Sequence, residues 1–249
     1  MTESLKGQRV WVIGASSGIG EATAHELVKR GARVAISARR EAELTAVAGS
    51  EMTVAVADVT DRESVDAAAA QVRESLGGID VVIVNAGFWE QMDATNWDRD
   101  LFARHIQVNL LGMNNCIGAV LPQMVSAGAG TIVGVASVAG YRGLAGAEAY
   151  GATKAAQINM LEGMRVALDR KGVRVVTVCP GFVKTGLTES NSFPMPFLIE
   201  ADEAAESICS GLERGQMEIV FPLPMAALMK VARILPIRLW TKVFGRASK

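Results

Sequence analysis

A strand-forming run, Arg9 to Ile13 (RVWVI), breaks directly into Gly14-Ala15-Ser16-Ser17-Gly18-Ile19-Gly20 and then into the helical pattern EATAHELVKRG. The apolar run, rich in Val and Ile and bounded by glycine, predicts a buried first strand. Glycines at this point allow a tight turn and let backbone N–H groups approach a pyrophosphate, whose charge a helix N-terminus favours. The spacing is GxxxGxG rather than GxGxxG, and glycine turns of this kind also join strand to helix in α/β proteins that bind no nucleotide. The stretch therefore fixes a strand–turn–helix unit and leaves its ligand to be decided by the rest of the chain.

The units that follow repeat the alternation. ARVAISARR predicts a second strand whose C-terminal end lies beside the glycine turn, where the ribose of a bound dinucleotide sits. An acidic residue there would hold a ribose 2′-OH, but this chain has Ala38, Arg39 and Arg40. A guanidinium suits a 2′-phosphate, which it grips bidentately, so the expected cofactor is NADP(H); the alternative is a solvated charge at a helix start. MTVAVADV predicts a third strand ending at Asp58, and IDVVIVNAG a fourth ending at Asn85 and Gly87. Strands alternating with helices predict a parallel, doubly wound sheet with its ligand at the carboxyl ends of the strands. Asp58 and Asn85 fall at such ends, where each also suits a turn or helix cap.

Composition narrows the class. A chain of 249 residues, 50% hydrophobic but only 5% aromatic, fits one α/β domain whose helices pack on a sheet through small side chains. A net charge of −1 argues against a nucleic-acid binder. Cys116, Cys179 and Cys209 are odd in number and widely spaced, which predicts reduced core residues of a cytoplasmic protein and no metal site. The N-terminus lacks the pattern of a secretory signal, and no apolar run approaches the ~20 residues that span a bilayer.

The chemistry-bearing stretch is SVAGYRGLAGAEAYGATK, Ser137 to Lys154. With a helix from about Glu148 onward, Tyr150 and Lys154 share one face. A phenol near pKa ~10 is a poor acid–base catalyst at neutral pH, and an adjacent ammonium favours its phenolate. Ser137, at the end of TIVGVAS, is placed to hydrogen-bond the same substrate oxygen. An exposed helix with a snorkelling lysine would present the same spacing.

Taken in order, GASSGIG, Asp58-Val59, Asn85-Ala86-Gly87, the Asn109 of VNLLG, Ser137, YGATK and PGFVKT resemble the short-chain dehydrogenase/reductase family over roughly residues 7–219. The resemblance implies a single Rossmann-type domain over 1–224 with a seven-stranded, mainly parallel sheet. It implies that Tyr150 is the general acid or base, that Lys154 lowers its pKa and binds the nicotinamide ribose, and that Ser137 orients the substrate carbonyl. Asn109 would hold a water in a proton relay to Lys154. For the cofactor it implies Gly14, Ser16, Ser17, Gly18, Ile19 and Gly20 at the pyrophosphate, and Asp58 and Val59 at adenine. Asn85, Ala86 and Gly87 would line the cleft, with Pro180, Gly181, Val183 and Thr185 at the nicotinamide. Ile13 and Val84 depart from the family's usual threonine and asparagine, at positions that bear on strand packing more than on catalysis.

His25 and His105 have no carboxylate or cysteine at ligand spacing and are expected to be surface or packed residues. The stripe Met160, Leu161, Met164, Leu168 predicts core or subunit contact. Residues 187–199, LTESNSFPMPFLI, carry two prolines with Phe193, Met195, Phe197 and Leu198; they predict either a lid over an apolar substrate or a loop over ordinary core. Residues 225–249 hold six of the chain's 25 Lys and Arg and none of its 26 Asp and Glu. Around Pro236 this extension splits into two short helices. In the second, Arg238, Lys242 and Arg246 recur every four residues beside Leu239, Trp240, Val243 and Phe244, a pattern open to a membrane surface or to packing on the pocket or a partner subunit. The combined expectation is an NADPH-dependent carbonyl reductase, a homodimer or homotetramer acting on an apolar small molecule. The rivals are a non-catalytic NADP(H)-binding sensor or scaffold and an NAD-linked alcohol or steroid dehydrogenase.

Overall fold

The computed structural model describes residues 4–189, 191 and 193–244, apart from the side chains of 243 and 244. Seven strands, β1 (Arg9–Ile13), β2 (Arg33–Ser37), β3 (Thr53–Val54), β4 (Val81–Val84), β5 (Gly130–Val135), β6 (Val173–Pro180) and β7 (Glu218–Phe221), form one sheet in the order β3-β2-β1-β4-β5-β6-β7. Every neighbouring pair is parallel. The order reverses between β1 and β4, and in such sheets the crevice at the carboxyl ends of the strands beside the reversal binds the ligand.

Both faces of the sheet are covered, which explains the unbroken Val and Ile runs of its strands. Side chains alternate with the pleat. Val10, Val12, Val34 and Ile36 point into one apolar cluster with Leu27, Leu44, Ile208 and Leu212. Those residues belong to α1 (Gly18–Lys29), α2 (Glu41–Ala48) and α7 (Ala201–Glu213). Trp11, Ile13, Val82 and Ile132 point the other way, into a cluster with Val65, Val72, Val120 and Leu161. These come from α3 (Arg62–Leu76), α5 (Gly112–Ala127) and α6 (Glu148–Leu168). Met160, Met164 and Leu168 are partly buried against the same cluster. The short α4 (Arg99–His105) runs into a π-helical turn at Ile106–Leu111 that contains Asn109.

The third predicted strand is regular only at Thr53–Val54, although Ala55 and Ala57 still donate to Ile36 and Ala38 carbonyls. At the sheet edge it has a single neighbour, so it keeps the extended path without a full ladder. Beyond β7 the chain forms α8 (Leu223–Ile234) and α9 (Ile237–Phe244), separated at Leu235-Pro236. Both dock on a third cluster, in which Met225, Met229, Ala232 and Trp240 join Val138, Tyr141 and Ile158. Trp240 therefore points into the protein, where its indole N–H donates to the Gly143 carbonyl at 3.0 Å. Arg246 lies outside the described residues.

Candidate active site

The glycine turn is braced from behind. Gly14 has a φ of +85°, and a Cβ added there would come within 2.5 Å of the Ala86 backbone, so only glycine lets β1 and β4 end side by side. Asn85 Nδ2 donates to the Gly14 carbonyl at 2.8 Å and locks the two strand ends together. Ser17 is the N-cap of α1, yet its side chain makes no capping bond, which leaves the first-turn amides available to an external acceptor.

A cleft of about 330 Å³ runs across the carboxyl ends of the strands. Its wall includes Gly14, Ser16, Ser17 and Ile19 at the turn, Arg39 and Arg40 past β2, and Asp58 and Val59 past β3. It continues over Asn85, Ala86 and Gly87 to Ser137, Tyr150 and Lys154, and closes with Pro180, Gly181, Val183 and Thr185. The sequence singled out all of these. Gly18, Gly20 and Asn109, also singled out, stand outside the cleft wall. Asp58 uses its carboxylate to accept from the Thr60 N–H and hydroxyl, so it shapes a turn while its residue lines the cleft. Arg40 reaches Ser16 Oγ at 3.4 Å and pairs with Glu43 at 3.2 Å.

This architecture fits a dinucleotide. An elongated trough joins a guanidinium pair at one end, an uncapped helix N-terminus in the middle and a hydroxyl–phenol–ammonium group at the other. Those groups match, in order, the phosphates and the reactive ring of a nicotinamide cofactor.

The reactive end is built by close helix–strand contact. Ser137 follows β5, and a Cβ on Gly140 would sit 2.7 Å from the Lys154 backbone; glycine thus lets the turn after Ser137 press onto α6. Lys154 is buried, donates to the Val135 carbonyl at 2.9 Å, and lies 5.5 Å from the centre of the Tyr150 ring. Ser137 Oγ accepts from the Ala139 N–H and donates to the Pro180 carbonyl.

Burial dominates the electrostatics of this pair. Burial pushes Tyr150 up to about 12, with only a hydrogen bond from Ser137 pulling it back, and pushes Lys154 down to about 8. Desolvation disfavours both charged forms. At neutral pH the phenol keeps its proton.

Asn109 acts as a brace. Its Oδ1 accepts from the Phe88 N–H at 2.7 Å and its Nδ2 donates to the Phe88 carbonyl and to Thr153 Oγ1, tying β4's end to α6. Its carbonyl accepts from Gln157 Nε2 at 2.6 Å. Gly87 lies between the two groups of the implied relay: a Cβ there would be 3.7 Å from Asn109 Oδ1 and 3.9 Å from Lys154 Nζ.

Two side chains beside the site escaped sequence reasoning. Trp89 sets its indole edge-on against Tyr150 with ring centres 5.2 Å apart, and Asn191 accepts from that indole at 2.9 Å. A tryptophan four residues past a strand-end asparagine was the only sequence signal. Phe182, packed on the third cluster, and Phe193 of the 187–199 segment approach at 6.0 Å. His105 is buried, with Nδ1 bonded to the Leu101 carbonyl and Nε2 accepting from the Glu90 N–H, and His25 is exposed on α1. The three cysteines are buried free thiols.

Comparison with known proteins agrees with this geometry. Residues 8–194 match the sequence model of the family described as short chain dehydrogenase. A Myxococcus xanthus protein described as an uncharacterized oxidoreductase is 40% identical over 231 residues, covering 90% of this chain and 91% of its own. A Staphylococcus epidermidis protein of the same description is 34% identical, over 81% and 89%. Among solved structures, a Burkholderia cenocepacia short chain dehydrogenase in complex with NADP superposes with a TM-score of 0.82 at 26% identity, over 94% of this chain and 100% of that one. A Streptomyces avermitilis short-chain dehydrogenase gives 0.80 at 25%, over 97% and 98%.

Proposed function

The chain belongs to the short-chain dehydrogenase family and is an oxidoreductase of that family, and on that premise we propose that it is an NADPH-dependent reductase of ketones or aldehydes with an apolar body. The observation that carries this reading is the convergence of Ser137, Tyr150 and Lys154 at one end of the cleft, with Trp89 laid against the phenol. When bound, the reduced nicotinamide supplies a hydride. The protein's own part is the proton. Tyr150, held in its acidic form by burial, donates to the carbonyl oxygen as that oxygen gains charge, and Ser137 fixes the oxygen in line. Lys154 supplies positive charge beneath the phenol and favours the phenolate left behind. Asn109 keeps the strand end and α6 in register so that these groups stay aligned.

Arg39 and Arg40 support NADP(H) over NAD(H): both line the cleft past β2, with Ala38 where a ribose-binding acid would stand. Phe182, Phe193 and Trp89 support the apolar substrate. Exposed Val166 on α6 and Val125 on α5 support a homodimer or homotetramer, and the buried free thiols support a reducing, cytoplasmic setting. No described helix is long and apolar enough to cross a membrane. A panel of ketones and aldehydes from small polar to bulky apolar, followed by oxidation of NADPH and of NADH, tests the reading. Activity should rise with apolar size and favour NADPH; activity confined to small polar carbonyls overturns the substrate class.

A further inference from the structure

The helices after β7 are apolar on two sides. The inner side of α8 presents Met225, Ala226, Met229 and Ala232 to the third cluster. Its outer side repeats Leu223, Ala227, Val231 and Ile234 along one face, and of these Leu223 is 79% exposed, Val231 55% and Ile234 80%. Leu228, Ile237 and Leu239 are exposed beside them. A contiguous exposed patch of large aliphatics marks an interaction surface.

Charge decides the partner. The same two helices carry Lys230, Arg233, Arg238 and Lys242 and no acidic residue. Lys230 is engaged by Glu218 at 3.0 Å and Arg233 lies over the Tyr141 ring, whereas Arg238 and Lys242 are exposed on α9 and form no ion pair with a described residue. A second copy docking symmetrically would set this patch against itself and bring the Arg238 and Lys242 charges together, with no acidic residue on either helix to offset them. An anionic lipid surface meets both halves of the pattern, taking the aliphatic side chains into the acyl boundary and the cations among its headgroups.

We propose that the outer face of α8 and α9 is a docking surface for an anionic membrane, with Leu223, Val231, Ile234 and Ile237 entering the bilayer boundary and Arg238 and Lys242 facing the headgroups. Trp240 is the anchor that holds the helices to the protein and takes no part in lipid contact. Met225 packs behind Gly181, and Phe182 joins the same cluster, so docking holds the substrate end of the cleft beside the lipid. That last consequence rests on the apolar substrate proposed above; the docking itself does not.

The test is co-sedimentation of the full-length protein with vesicles of phosphatidylcholine mixed with phosphatidylglycerol and with vesicles of phosphatidylcholine alone, paired with size-exclusion profiles. The intact protein should pellet with the mixed vesicles and be released by salt. Arg238→Gln with Lys242→Gln should weaken partition about thirtyfold, from ~1 kcal/mol per basic residue. Val231→Asp with Ile234→Asp should abolish partition with an unchanged melting temperature, because those side chains are exposed. No pelleting with the mixed vesicles, or equal pelleting with phosphatidylcholine alone, overturns the proposal. An oligomer that Ile234→Asp dissociates also overturns it, by assigning the face to a second copy.

Discussion

The indole N–H of Trp89 donates to Asn191 Oδ1 at 2.9 Å while the same ring packs edge-on against Tyr150. One side chain thus joins the segment after β6 to the proposed proton donor, across a separation of 102 residues. Asn191 in turn reaches Met195 Sδ at 3.4 Å, which extends the tether within the 187–199 segment. Trp89→Phe keeps an aromatic wall and loses the tether. One neutral hydrogen bond is worth roughly 0.5–1.5 kcal/mol, so kcat/KM for a bulky apolar ketone should fall about two- to tenfold. Trp89→Ala should fall further, and steady-state kinetics of the two variants separates tether from wall; equal values for both would assign the effect to the hydrogen bond alone.

Arg39 and Arg40 should set the cofactor choice. A charge-assisted contact to a 2′-phosphate is worth ~1.5–3 kcal/mol, or about a ten- to hundredfold preference for NADP(H) over NAD(H) in kcat/KM. Arg39→Asp should invert the preference. Equal Michaelis constants for the two cofactors in the parent protein would remove the basis for this assignment.

The pH dependence follows from Lys154. Burial lowers its pKa to about 8, so its positive charge is complete at pH 6 and is lost as pH rises through about 8. The Tyr150 phenol, raised to about 12, keeps its proton throughout that window. Carbonyl reduction should therefore be flat on the acid side and decline above about pH 8 in a kcat/KM profile, with the limb set by the ammonium. Lys154→Arg should shift that limb upward, and a limb left in place by this variant would assign it to another group.

Trp240 should matter for stability rather than for turnover. It is buried against Tyr141 and Ile158 and donates to Gly143. Trp240→Ala should cost about 3 kcal/mol, read as a lower melting temperature or denaturant midpoint. An unchanged midpoint would show that α9 contributes nothing to the folded state.

How far the sequence reaches is visible in particular residues. The alternation of strand and helix was readable because buried parallel strands are written as unbroken Val and Ile runs, and the glycine turn because φ at Gly14 and the approach of Ala86 admit no side chain. Ser137, Tyr150 and Lys154 could be paired because local helical spacing and the end of β5 place them. Trp89 and Asn191 could not, since their contact spans most of the chain and has no local signature. The π-helical turn around Asn109 is equally silent in IQVNLL, being stabilised from outside by Phe88, Thr153 and Gln157. The phenol's raised pKa is silent in the sequence for a related reason: proximity of a lysine is legible in spacing, whereas depth of burial is a property of the whole fold.

The central claim is that Tyr150 is the proton donor to a substrate carbonyl, and Tyr150→Phe tests it most directly. The variant removes one hydroxyl and leaves Lys154, the glycine turn and the arginine pair in place. Turnover of a verified ketone and NADPH affinity by fluorescence titration should be measured on the same preparation. The account predicts a loss of at least ~10² in kcat with cofactor affinity little changed; a Tyr150→Phe protein that reduces the ketone at near-parental rate would contradict it.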